Sequence, residues 1–300
     1  MNIRSPLRRR TSVSAAVPFF IAACLVSLAS TMCSAQTPAS NSTDRPSHPK
    51  AHAHNDYLHE RPLLDALDNG FRSVEADIFL VDGDLWVAHS TSELSAERTL
   101  KALYLDPLRQ RMRSHADDSS DSFQSVEGDG QPVTLLIDLK SDGESTYRAL
   151  HQLLSKYDDV FTHVDSEGVH RRGVTAIISG NRPIELVQSD SPRFVGVDGR
   201  LGDLESDYSA DLMPLISDHW GRNFKWRGQG ELPAEDREKL SKILEQAHQK
   251  NRRIRFWATP DHEAAWEVLH EAGVDLINTD DLEGLNRFLR SEVIDRSPAT

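Results

Sequence analysis

Cysteine is nearly missing from this 300-residue chain, and the two present, Cys24 and Cys33, both lie near the N-terminus. Everything after residue 35 is free of cysteine, which excludes disulfides, thiolate metal sites and cysteine nucleophiles there. A metal ion would have to be held by carboxylates, imidazoles or amides. Basic residues are scarce as well: 34 Lys and Arg face 47 Asp and Glu, for a formal charge of −13. Such a chain is a poor non-specific binder of nucleic acid or anionic membrane, so no nucleic-acid partner is expected, and an anionic substrate needs a local cation. There is no Gly-rich phosphate loop and no internal repeat. Long apolar runs are also lacking. The best, Ala15 to Ser30, is broken by Pro18 and Ser27 and falls short of the roughly 20 apolar residues of a stable membrane span.

What precedes and follows that run gives it a meaning. Arg4, Arg8, Arg9 and Arg10 come first, and Cys33-Ser34-Ala35 places small residues three and one positions before a cut ahead of Gln36. This order fits a signal peptide over residues 1–35, so an exported protein, periplasmic or extracellular, is expected. Ile21-Ala22-Ala23-Cys24 offers lipoprotein anchoring through Cys24 as the alternative. The four arginines face no acid in this segment, so its removal would deepen the charge from −13 to −17.

Residues 36–49, rich in Ser, Thr and Pro, read as a flexible leader. From Lys50 onward, short apolar runs alternate with helical patterns. Strands are predicted at 50–54, 73–79, 133–139, 174–179, 194–197, 212–217, 253–259 and 275–278. Leu63, Leu64 and Leu67 form a helical stripe behind Pro62. Leu240, Ile243, Leu244 and Ala247 form another behind Pro233, and Ala265, Leu269 and Ala272 a third that ends at Gly273. Eight strands alternating with helices predict an α/β fold, a (β/α)8 TIM barrel in a single domain over 50–292, with 293–300 a tail. Residues 112–132, rich in Ser, Asp and Gly, read as a surface insertion.

The chemistry concentrates at strand ends. In Ser73-Val74-Glu75-Ala76-Asp77-Ile78-Phe79, alternation puts Glu75 and Asp77 on one face. In a barrel the other face packs under helices, so the two carboxylates point inward. Unpaired, they are costly to desolvate; a hard divalent cation or a salt bridge would satisfy them. The run Val133 to Leu139 carries Asp138 near its end with Lys140 on the same face, either a third ligand beside a phosphate-binding cation or a plain ion pair. His54 follows the first strand, and the hairpin Val81 to His89 returns His89 toward the same mouth. Two imidazoles beside a bound phosphate can share general base and acid roles. Trp257, on the same face as Arg255, either floors a substrate pocket or packs in the core. His219 and Trp220 are weaker candidates for the mouth, and Asp280 and Asp281 read as a helix cap.

The runs HNDYL (His54 to Leu58), SVEADIFL (Ser73 to Leu80), VAHS (Val87 to Ser90) and LLIDLK (Leu135 to Lys140) resemble the superfamily of phosphatidylinositol-specific phospholipases C and glycerophosphodiester phosphodiesterases. Within it, the chain is most similar to the branch of altered inheritance of mitochondria protein 6-like proteins. RIRFWATPD (Arg253 to Asp261) and GVDLINTDDL (Gly273 to Leu282) fit its last two barrel units. The resemblance covers about residues 50 to 290. It implies a metal-dependent phosphoric diester hydrolase with His54 and His89 as catalytic histidines and Glu75, Asp77 and Asp138 as ligands of Mg²⁺ or Ca²⁺. Asn55 matches an auxiliary metal ligand, and Lys140 a substrate contact. The implied partner is a small phosphodiester or lipid head group. Two features of the diesterase branch, His-Arg-Gly and a Pro-Glu-Asn-Thr-like stretch, are absent, so glycerophosphodiesters are not implied as the natural substrate.

Two other readings stay open. His52-Ala53-His54 has the His-x-His form of a zinc amidohydrolase-type barrel, which also makes His52 a rival to His54. A barrel that binds a phosphorylated ligand without cleaving it would keep the carboxylates but need no histidine pair.

Overall fold

Apolar runs whose side chains alternate in direction form eight parallel strands, each buried on both faces as parallel sheets require. The computed structural model describes residues 46–115 and 124–295. The expected signal peptide, residues 36–45 of the leader, the middle of the 112–132 insertion and residues 296–300 lie outside the described residues. In chain order the strands are β1 (His48–Ala53), β2 (Phe71–Val81), β3 (Asp84–Val87), β4 (Val133–Leu139), β5 (His163–Asp165), β6 (Gly168–His170), β7 (Val174–Gly180), β8 (Val195–Gly199), β9 (Leu215–His219), β10 (Arg253–Trp257) and β11 (Ile277–Thr279). Neighbours run β10-β9-β8-β7-β4-β2-β1-β11, all parallel. The ring closes where Arg255 bridges Leu276 and the Leu276 N–H donates to the Ile254 carbonyl (3.1 Å). This is the (β/α)8 barrel that the pattern predicted.

The crossovers carry α1 (Leu64–Asp68), α2 (Asp106–Ser114), α3 (Gly143–Leu154), α4 (Ile184–Ser189), α5 (Trp220–Asn223), α6 (Ala234–Gln249), α7 (Glu263–Ala272) and α8 (Leu282–Asp295). The apolar stripe of α6 buries Leu240, Ile243, Leu244 and Ala247. Gly273, left-handed at φ 88, stops α7. Among the described residues no helix is long and apolar enough to cross a membrane.

Alternation along each strand divides the core in two. Val133, Leu135, Ile137 and Leu139 of β4 join the large outer core between barrel and helices. Leu136 points inward and meets Ile177, Leu215 and Leu276 in a separate cluster inside the barrel. That apolar plug separates the two mouths, and one residue pair further along each strand the inward positions become polar.

Several sequence expectations shift. β1 begins at His48, inside the segment read as leader, and α8 continues to Asp295, past the start of the expected tail. The ribbon β5–β6 went unpredicted because three-residue strands are too short to show a period. Part of the 112–132 stretch is not surface: Ser125, Val126 and Glu127 are buried. Trp220 does not line the mouth. It is buried against Phe224, Trp226 and Phe256, because the turn after β9 directs it under the sheet.

Candidate active site at the C-terminal mouth

The C-terminal ends of the strands surround a cavity of about 280 Å³ lined by His54, Asn55, Glu75, Asp77, His89, Asp138, Lys140, Gly180, Arg200 and Trp257, among others. The eight residues given a catalytic, metal-binding or substrate role from the sequence (these seven side chains from His54 to Lys140, and Trp257) therefore line one cavity. Glu75, Asp77 and Asp138 each offer an oxygen, and these atoms lie within 4.8 Å of one another. The register explains the convergence, since Asp77 and Asp138 are direct partners across the β2–β4 pair.

Each carboxylate has a different environment. Glu75 is buried at the base of the cavity, ion-paired with Arg255 and accepting from His52 Nε2 (3.1 Å). Burial opposes its charge, but Arg255 and His52 prevail and hold it well below the usual carboxylate range. Asp77 is pushed up to about 6, first by burial and then by the charge of Glu75, with Lys140 opposing. Its Oδ2 accepts from the Tyr57 hydroxyl (2.7 Å), from His89 Nδ1 (3.1 Å) and from the Lys140 ammonium (3.0 Å). The same ammonium reaches Asp138 Oδ2 (2.6 Å). The second oxygens, Asp77 Oδ1 and Asp138 Oδ1, are buried and have no hydrogen-bond partner among the described residues. Orphan carboxylate oxygens are expensive, and a hard divalent cation would satisfy them. The acidic group can hold such an ion.

The two imidazoles reach the cavity from different elements. His89 follows β3, with its side chain 61% exposed. His54 lies past the end of β1, and its Nδ1 donates to Asp280 (2.9 Å). Burial draws His54 down, yet the Asp280 hydrogen bond and the charge of Glu75 outweigh it and set the imidazole above its ordinary value. His52 is fully buried, with Nε2 toward Glu75 and Nδ1 accepting from the Ser73 hydroxyl (2.7 Å). Desolvation and Arg255 lower it to about 3, so it stays neutral. With Nε2 held by Glu75, Nδ1 held by Ser73 and the ring outside the cavity lining, His52 argues against a His-x-His zinc centre and leaves the mouth to His54.

Four contributors were missed in the sequence. Tyr57 closes a small network, its hydroxyl also lying 2.8 Å from Asn55 Oδ1; it stood inside the HNDYL run but was given no role. Arg255 neutralises Glu75, which its place on the Trp257 face could have suggested. Arg200 lies over the Trp257 ring at 5.0 Å and is fixed by Asp198 (2.8 Å). Asp280 and Asp281 divide the labour expected of both: Asp281 accepts from Gly284 N and caps α8 (2.8 Å), whereas Asp280 orients His54. His219 packs edge-on against Trp257 (6.3 Å) outside the cavity lining.

The AIM6-like phosphodiesterase domain matches residues 43–198. The altered inheritance of mitochondria protein 6 homolog of Arthroderma benhamiae is 31% identical over 268 residues, covering 79% of this chain and 82% of that protein. The chain belongs to the AIM6-like phosphodiesterase family. The AIM6 protein of Eremothecium gossypii is 29% identical over 80% of this chain and 69% of its own length. Residues 253–283 of the AIM6-like chain also match the glycerophosphoryl diester phosphodiesterase family. A glycerophosphodiester phosphodiesterase from Parabacteroides distasonis superposes with a TM-score of 0.47 at 15% identity, over 83% of this chain and 99% of its own. That likeness is remote, and the barrel stands on its own strand order.

The AIM6 relatives correct one expectation. Their names refer to the inheritance of mitochondria, which runs against the export expected from residues 1–35, and that expectation is withdrawn.

Proposed function

We propose that this AIM6-like chain hydrolyses phosphoric diesters with His54 and His89 as its acid–base pair. A divalent cation, Mg²⁺ or Ca²⁺, would be held by Glu75, Asp77 and Asp138, with Asn55 as an auxiliary ligand. The observation that carries this reading is the meeting of three carboxylates, two of them with an orphan oxygen, and two imidazoles in one cavity. When bound, the cation supplies Lewis-acid polarisation of a phosphoryl oxygen.

The remaining work falls to the chain's own groups. One imidazole takes the proton of the attacking water, or of a neighbouring substrate hydroxyl whose cyclic product water then opens, and the other gives a proton to the leaving oxygen. Asp280 fixes the His54 ring and stabilises its imidazolium; Asp77, itself steadied by Tyr57, does the same for His89. Lys140 and Arg200 bring positive charge toward the diester. Trp257 gives the cavity an apolar wall against which the substituent of the phosphate packs. The volume, about 280 Å³, lies at the small end for ligand sites, which supports a small diester or a lipid head group over a whole lipid.

A panel of generic diesters assayed with and without chelator tests this. Activity should vanish with chelator and return with Mg²⁺ or Ca²⁺. His54→Ala and His89→Ala should each abolish turnover while circular dichroism stays that of the parent. Full activity in both variants would sink the proposal.

A further inference from the structure

The larger cavity of the barrel is at the opposite mouth. About 740 Å³ in volume, it is lined by the N-terminal ends of the strands and by the β5–β6 ribbon. It shares no residue with the catalytic cavity. The alternation that aims Asp138 at one mouth aims Thr134 at the other, with Leu136 of the plug between them; β10 likewise sends Arg255 one way and Arg253 the other. Four residues of strand set the two sites roughly 13 Å apart.

Its lining is cationic in a chain that is otherwise strongly acidic. Lys50, Arg72, Arg171, Arg193 and Arg253 face Asp211 and Asp275. Arg72 is committed to Asp129 (2.7 Å). Asp275 is also committed, its Oδ2 accepting from Ile254 N and His248 Nε2 (both 2.8 Å). Arg193, only 7% exposed, donates to the carbonyls of Val195 (2.8 Å) and Asp211 (2.9 Å). Arg253 touches the Thr134 hydroxyl (3.2 Å). Neither guanidinium has a carboxylate within ion-pair distance among the described residues. Burial draws both below their ordinary values, with Asp211 opposing at Arg193 and Asp275 at Arg253. Cations held this way are short of counter-charge.

We infer that the N-terminal mouth is a second binding site, for a small phosphorylated polyanion. Guanidinium forks match phosphate oxygens in pairs. Arg193 and Arg253 form the desolvated floor, and Lys50 and Arg171 supply charge at the rim. The volume falls within the usual range for small-ligand sites. This holds whether or not the other mouth cleaves diesters.

Inorganic pyrophosphate, titrated calorimetrically into the full chain in the presence of EDTA, tests the inference. One pyrophosphate should bind per chain and raise the melting temperature. Affinity should fall at least tenfold in the Lys50→Glu/Arg171→Glu double variant, whose changes are at the rim and leave the fold intact by circular dichroism. It should fall similarly in Arg253→Met and stay unchanged in Lys140→Ala. Absence of binding, an unaltered affinity in the folded rim variant, or loss of binding in Lys140→Ala alone would each overturn it.

Discussion

Replacing Tyr57 with Phe removes one buried hydroxyl beside the carboxylate cluster of the candidate site and leaves a buried ring in place. The hydroxyl donates to Asp77 Oδ2 over 2.7 Å, and a hydrogen bond to a charged group nets about 1.5–3 kcal/mol. Burial and the neighbouring Asp77 hold this phenol far above its ordinary pKa, so the proton is present at any working pH. Part of the loss is offset, because Lys140 Nζ (3.0 Å) and His89 Nδ1 (3.1 Å) still reach the same oxygen. The lower half of the range then applies, about 1.5–2 kcal/mol, which is roughly 10- to 30-fold in a binding constant. The loss should appear in cation affinity, as with other groups that orient a metal ligand. Initial rates of diester cleavage against Mg²⁺ concentration should shift 10- to 30-fold toward higher cation and recover most of their maximum at saturation. A cation curve that overlays the parent's would refute the idea that Tyr57 positions Asp77.

Gly180 sits at φ +68, and a Cβ there would run into Asp138 Oδ1 and the Leu139 carbonyl. Gly180→Ala should therefore cost more in urea unfolding than the about 1–2 kcal/mol of a left-handed alanine alone, and also weaken cation binding tenfold or more. Gly83→Ala, at φ +90 with open space around it, should show the backbone cost alone; equal cation affinity in both variants would disprove the clash with Asp138. Arg255→Met strips Glu75 of its buried counter-ion and should destabilise the fold by about 3–5 kcal/mol. Added Mg²⁺ should restore part of that in calorimetry, and a variant as stable as the parent without cation would contradict the pairing. His48 is buried and hydrogen-bonded to Asn286 (2.8 Å), and desolvation lowers its pKa below 6.5 despite that bond. The unfolded chain thus binds the proton first, so the contribution of His48 is complete above pH 6.5 and declines as pH falls, by at most about 1.4 kcal/mol per pH unit. In His48→Gln this part of the acid slope should disappear, and parallel stability–pH curves for the two proteins would rule it out.

The barrel was legible because its signal is local and repeated. A strand buried on both faces must be apolar for its whole length, so runs such as Val133–Leu139 announce themselves, and Pro233 and Gly273 mark where α6 begins and α7 ends. Short elements without a period, the β5–β6 ribbon above all, give no such signal. The inward carboxylates of the candidate site were legible for a related reason. Period-two alternation fixed that Glu75 and Asp77 share a face, and the ends of strands are where barrels place their chemistry.

Pairing across the barrel is a different matter, because it depends on register and closure rather than on neighbours in sequence. That Asp280 serves His54 while Asp281 caps α8 follows from where β11 lies against β1. That His52 turns away toward Ser73 and Glu75 follows from its register with β2. The same holds for Arg255 and Glu75, 180 positions apart, and for the cations that gather at the far mouth. The sequence by itself determined which side chains face inward, since that is a property of one strand. Which of them meet, and which are left without a partner, was decided only when eight strands closed into a ring.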